Sequence, residues 1–68
     1  MSIFDNYLSA EEKALIANQY IKQYASEAYQ HSVLISIAEE TGNDEMKASS
    51  EAAIVALGIA IEQWEASK

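Results

Sequence analysis

The side chains of this sequence that could perform acid–base or metal chemistry centre on a single histidine, His31. Glu27 precedes it by one helical turn, so the two would share a helix face. Metal sites in ferritin-like bundles use Glu-x-x-His in the bundle interior, whereas this sequence has Glu27-x-x-x-His31. Glu62 and Glu65 offer a second carboxylate pair. Because His31 falls on an apolar stripe, we expect a structural, hydrogen-bonded imidazole, and we predict no enzymatic activity, metal or cofactor.

The densest charge on the chain is an acidic cluster around the segment TGND. It could form a contact patch for a basic protein partner. It could equally be a solvated turn, in which Asp44 and Glu45 favour the positive end of the following helix. The segment is too short for a calcium-binding EF-hand loop. The cluster consists of Glu39, Glu40, Asp44 and Glu45.

Two aromatic residues, Phe4 and Tyr7, lie in the N-terminal segment SIFDNYL. With Ile3 and Leu8 they would form one side of a short turn, which predicts an arm packed against the rest of the protein. The same two rings could instead stack on a flat ligand such as a nucleobase. Both interpretations remain open at this point.

Composition limits the choice of partners. The 68 residues contain 11 Asp and Glu but only 4 Lys and Arg, giving a formal net charge of -7. Such a surface repels the nucleic-acid backbone and anionic membranes. It would attract a basic protein, resemble the charge of a nucleic acid, or keep an oligomer soluble. Without cysteine, disulfides and thiolate metal sites are excluded. We expect one cytoplasmic domain that does not span a membrane.

Two long helices are needed to position these residues. Ser9 and Glu12 have the spacing of a capping box, which predicts a helix start near Ala10. Gly42 can end that helix in a left-handed conformation, and Asn43 and Asp44 can begin the next one. Apolar residues at alternating spacings of three and four predict a seam along the first helix. This seam consists of Ala14, Ala17, Ile21, Tyr24, Ala28, His31, Ile35 and Ala38.

The second helix contains an unbroken apolar run, residues 52–61. One stripe has Ser50, Ile54, Leu57, Ile61 and Trp64, and the other side has Ala52, Val55 and Ile59. A single partner helix can cover only one side, so we expect self-association. Gly58 predicts a close helix crossing, or else a tolerated loss of helix propensity. The expected oligomer interface comprises Ile54, Val55, Leu57, Gly58, Ile59, Ile61 and Trp64.

The fold class follows from these elements. We predict an all-α, antiparallel two-helix hairpin with a short N-terminal helical arm, assembling into a homo-oligomeric helical bundle. Its expected parts are an arm over residues 1–8, a first helix over about 10–40, a turn over 41–43 and a second helix over about 44–67.

Several of these residues resemble a known family. Tyr7, the LSAEE segment and the Ile21-Lys22 pair resemble the opening of the phage anti-CBASS cyclic-nucleotide sponges, and residues 56–61 are similar to their closing helix. The resemblance implies a homo-oligomer in which Tyr7 stacks on a base and Lys22 meets a phosphate, in pockets between protomers. The implied function is sequestration of a cyclic nucleotide signal in the cytoplasm of a bacterial host, without cleavage.

Two other functions remain open from the sequence. The chain could be an acidic inhibitor or adaptor, comparable to anti-CRISPR proteins, that covers a basic surface of a larger partner with its acidic cluster. It could also be a structural assembly module, whose partner is another copy of itself.

Overall fold

The structure, a computed structural model, describes residues 3–68 and consists of helices. A 3-10 turn, Ile3–Asn6, precedes two α-helices, α1 (Ala10–Thr41) and α2 (Asp44–Ala66). The two α-helices pack against each other along their length. The prediction of an all-helical hairpin is therefore confirmed. Of the arm expected over residues 1–8, residues 1 and 2 lie outside the described part.

The capping box at the start of α1 is formed as expected. The Ser9 hydroxyl accepts a hydrogen bond from the Glu12 backbone N–H at 3.1 Å, and the Glu12 carboxylate accepts one from the Ser9 N–H at 2.9 Å. The hydrogen bond from the Ser9 backbone N–H is the larger cause that lowers the pKa of the Glu12 carboxyl from its ordinary value of 4.5, and interaction of the carboxyl with the Ser9 side chain lowers it further. The first turn of α1 is thereby fixed by local chemistry alone.

A two-residue connection reverses the chain between α1 and α2. Gly42 has φ 70°, a left-handed conformation that glycine adopts without strain. The backbone N–H groups of Gly42 and Asn43 both donate to the carbonyl of Ala38. The Asn43 side chain then accepts from the Met46 N–H at 3.1 Å and caps α2. So short a turn makes α1 and α2 antiparallel neighbours.

The contact between the two helices is narrow. Every residue of the predicted α1 seam is buried or half-buried. Within residues 3–68, however, the fully buried side chains are all small: Ala17, Ala38 and Ser50, the last only 3% exposed. Nδ1 of His31 lies 3.4 Å from the Ser50 hydroxyl across the seam, so the imidazole has a hydrogen-bond partner between the two helices. The hairpin therefore has close helix contact but little core.

The molecule is long and thin, measuring 52 × 17 × 13 Å. Its radius of gyration is 16.0 Å, whereas a compact chain of this length would have about 11 Å. A compact monomer of this mass exposes about 4,200 Å², whereas this chain exposes 5171 Å². A single hairpin thus leaves an unusual amount of its surface in contact with water.

Gly58 does not mediate a close crossing between α1 and α2. It is exposed, and a Cβ at this position would meet no atom of the described residues within 4 Å. The close crossing expected from the sequence is therefore not formed inside the hairpin, where Gly58 only lowers helix propensity. Neither α1 nor α2 is long and apolar enough to cross a bilayer.

Candidate functional site

A cavity of about 330 Å³ opens at the end of the hairpin away from the turn. Three parts of the chain meet there: the N-terminal turn, the first two turns of α1 and the last turn of α2. The last turn of α2 is far in sequence from the N-terminal turn and the start of α1. The antiparallel packing of α1 and α2 brings these parts together. The cavity is lined by Phe4, Leu8, Lys13, Ile16, Trp64 and Ser67.

The wall on the N-terminal side is built by Phe4 and Lys13. The Lys13 ammonium lies 5.6 Å from the centroid of the Phe4 ring and forms an ion pair with the Asp5 carboxylate. The backbone carbonyl of Phe4 accepts from the N–H groups of Tyr7 and Leu8, which closes the N-terminal turn. The cation–π contact and the ion pair together hold this turn against the start of α1.

The opposite wall is formed by Trp64, which is backed by tyrosines of α1. The Tyr20 and Trp64 rings are stacked, with centroids 4.7 Å apart and planes inclined by 2°. Tyr24 continues the cluster at 6.1 Å from Tyr20. Next to Trp64, the hydroxyl of the exposed Ser67 donates to the Trp64 carbonyl at 2.8 Å. The stack fixes one face of the indole, so this wall is rigid.

Of the three predicted ligand-binding residues, only Phe4 lines the cavity. Tyr7 is 76% exposed and does not line it. Lys22 is also exposed, and it lies about 13 Å beyond Lys13 along the axis of α1. One chain therefore does not bring Tyr7 and Lys22 to a common site.

Sequence reasoning missed Lys13, Leu8 and Ile16 as cavity residues. The positions of Lys13, Ile16 and Tyr20 share one face of α1 by their spacing, which was the available signal. That face adjoins the predicted seam, but the sequence did not show that the N-terminal segment folds over it.

The acidic cluster lies at the other end of the molecule, beside the turn. All four residues are exposed. The Glu39 carboxylate lies 3.7 Å from the Lys47 ammonium. The two ends of the hairpin therefore differ in chemistry: one is aromatic and apolar, and the other is anionic.

The residues expected at an oligomer interface fall into two groups. Ile54, Leu57, Ile61 and Trp64 are half-buried on the side of α2 that meets α1, which we call the inner face together with Ser50. On the side away from α1, Val55 is 64% and Ile59 55% exposed. Gly58 is exposed too. We call this side the outer face of α2; it consists of Ala48, Ala52, Val55 and Ile59.

Within residues 3–68 no three His, Asp or Glu side chains lie where they could hold a metal ion together. The fold and site define a small helical hairpin with an apolar cavity at its open end. Comparison with family models, with curated proteins and with solved structures found no match to this chain.

Proposed function

We propose that this chain is a non-catalytic binding protein that works as a homo-oligomeric helical bundle, with its N-terminal turn as a short arm against the hairpin end. The observation that carries this proposal is the outer face of α2. Val55 and Ile59 stand exposed on it, and the alanines Ala48 and Ala52 precede them on the same side of the helix. An apolar stripe with small residues suits the close approach of another helix.

The size of the exposed surface supports a second copy as the occupant. The chain exposes about 900 Å² more than a compact monomer of its mass. A stable protein–protein interface buries about 800 Å² on each partner. Association through one face would therefore bring the exposed surface per chain to the ordinary range. The net charge of -7 favours the solubility of such an assembly.

The test compares two lysine substitutions at equally exposed sites. Val55, on the outer face of α2, and Leu15, on α1, are each 64% exposed. Both Val55→Lys and Leu15→Lys reduce the net negative charge, so neither adds repulsion between acidic chains. We expect Val55→Lys to convert the oligomer to monomer and Leu15→Lys to leave it intact, measured by light scattering after size exclusion.

Circular dichroism on both variants serves as the folding control, since lysine is a good helix former. A wild-type protein that is monomeric at high micromolar concentration would contradict the proposal. So would equal masses for the wild type and the Val55→Lys variant.

A second candidate function, sequestration of a cyclic nucleotide, draws support from Lys22. The other three lysines pair with carboxylates: Lys13 with Asp5, Lys47 with Glu39 and Lys68 with Glu65. Lys22 is exposed and forms no ion pair among the described residues. It therefore remains available for a phosphate, and this function requires an oligomer in which Lys22 lies near Tyr7 of a neighbouring chain.

Calorimetric titration with cyclic di- and trinucleotides tests this second function. We expect Lys22→Ala to abolish the heat of binding. Lys47→Ala, which removes the same charge at the far end of the hairpin, should leave it unchanged. An absence of heat with every such ligand, or an equal loss in both variants, would remove the sequestration function and leave the oligomer proposal standing.

A further inference from the structure

We propose that the cavity at the open end of the hairpin is a binding site for a neutral molecule with a flat, fused-ring body. The inference goes beyond the self-association proposed above and does not depend on it. It concerns a different part of the molecule, and neither Val55 nor Ile59 of the outer face contributes to the cavity.

The polar groups of the cavity are already satisfied within the chain. The Lys13 ammonium is paired with Asp5, and the Ser67 hydroxyl donates to the Trp64 carbonyl. The charge of Lys13 is therefore compensated by the Asp5 carboxylate. A charged ligand would lose hydration on entering this largely apolar cavity, where the Lys13 ammonium is already paired with a carboxylate, and that loss is unfavourable. The lining thus selects for an uncharged ligand.

The size and shape of the cavity select for flat rings. Its volume of about 330 Å³ lies at the lower end of the range for pockets that hold small organic ligands. Two of its walls are the aromatic side chains of Phe4 and Trp64, and aliphatic side chains, Leu8 and Ile16, complete the lining. Aromatic walls favour offset stacking or edge-to-face contact with a ring. Two fused rings with a small substituent fit this space.

Contacts within the chain support both aromatic walls. Trp64 is stacked on Tyr20 at 4.7 Å, and the Phe4 segment is tied to α1 through Asp5 and Lys13. A preformed site binds without the cost of ordering its own side chains. The N-terminal turn and α1 thus both contribute to one binding site.

The test uses N-phenyl-1-naphthylamine, a neutral dye that brightens in apolar sites, and its sulfonated analogue 1-anilinonaphthalene-8-sulfonate. The two dyes share one ring system and differ by the charged group. Trp64 is the single tryptophan of the chain, so quenching of its emission reports occupancy directly. We expect the neutral dye to bind saturably, at one molecule per chain, with quenching of Trp64, and the sulfonate to bind more weakly because its charge finds no partner.

Three variants separate this site from general surface binding. Phe4→Ala removes one aromatic wall and should weaken binding of the neutral dye about tenfold. Ser67→Phe places a ring in the cavity from an exposed position and should prevent binding. Leu15→Ala removes an exposed apolar side chain elsewhere and should change nothing. Circular dichroism confirms folding, and unchanged mass in light scattering shows that Phe4→Ala acts on the cavity alone.

Several results would overturn the inference. These are non-saturating fluorescence, tighter binding of the sulfonate than of the neutral dye, or equal binding by the wild type and the Phe4→Ala variant. Dye binding by Val55→Lys but not by the wild type would mean that a second copy fills the cavity, which also overturns it. If instead Val55→Lys stays oligomeric while Phe4→Ala loses the dye, the proposed mode of association fails and this site stands.

Discussion

The inner and outer faces of α2 carry similar side chains in different surroundings. Ile54 and Ile61 on the inner face are half-buried against α1, whereas Val55 and Ile59 on the outer face are mostly exposed. Helix propensity and hydrophobicity do not distinguish these positions. The difference shows that α2 carries more apolar surface than α1 covers. The hairpin uses one face, and the other is available for a partner.

The largest expected effect comes from truncating the same residue type on each face. Ile61→Ala on the inner face should lower the free energy of unfolding by about 2 kcal/mol, the lower end of the range because Ile61 is only half-buried. Ile59→Ala on the outer face should cost less than about 0.5 kcal/mol in a lone hairpin. In an oligomer that buries the outer face, it should cost about as much as Ile61→Ala. Urea unfolding followed by circular dichroism measures both.

Repeating these unfolding curves at two protein concentrations distinguishes a lone hairpin from an oligomer that buries the outer face. Association links stability to concentration, so the cost of Ile59→Ala should grow as the protein is concentrated. A small loss of stability in Ile59→Ala that does not depend on concentration would mean that the outer face stays exposed to water. The protein would then be a monomer with one exposed apolar face.

Gly58 gives the next largest effect. Since a Cβ at this position meets no described atom within 4 Å, Gly58→Ala should stabilise the hairpin by about 1 kcal/mol through helix propensity. Thermal unfolding measures this gain, and light scattering reports the mass of the variant. A drop in mass would contradict the expectation and would assign Gly58 to a close crossing between copies.

The stack of Tyr20 on Trp64 tests how the inner face of α2 packs at the end of the hairpin away from the turn. A double-mutant cycle with Tyr20→Ala and Trp64→Ala should give a coupling free energy of about 1 kcal/mol. Far-ultraviolet circular dichroism must follow unfolding here, because Trp64→Ala removes the fluorophore. A coupling near zero would mean that the stack contributes area but no specific ring contact, and it would weaken the case for a rigid cavity wall.

What the sequence revealed of the fold was local. Ser9, Glu12 and Gly42 act within one or two helical turns, so their capping roles can be recognised from spacing alone. The α1 seam was recognisable for the same reason, because helical periodicity depends only on neighbours. The sequence also distinguished the inner and outer stripes of α2. It did not show what fraction of each stripe is buried by α1.

The cavity illustrates what the sequence could not supply. Phe4, Ile16 and Trp64 converge only because the hairpin has one particular register, and register depends on the packing of small residues such as Ala17 along the seam. Phe4 was recognised as a possible ligand contact from its type, whereas Lys13 was not, since its neighbours Phe4 and Asp5 come from a different element. The sequence left open whether Gly58 allows a close crossing or only lowers helix propensity, because a glycine in a helix does not indicate which side a neighbour lies on.

The smallest expected effect concerns the capping box, which belongs to neither face of α2. The lowered pKa of Glu12 means that its contribution to stability is present above 4.5 and is lost as the pH falls through the folded-state pKa. Glu12→Gln keeps a side chain that can accept the Ser9 N–H but cannot titrate. Unfolding by urea should therefore show a higher free energy of unfolding for the wild type than for Glu12→Gln near neutral pH. The difference between the two should disappear in acid. The difference in stability should be the same in a Val55→Lys background, because the cap is far from the outer face. A difference that widens in acid would contradict the capping role. A difference that depends on Val55 would show that assembly reaches the start of α1.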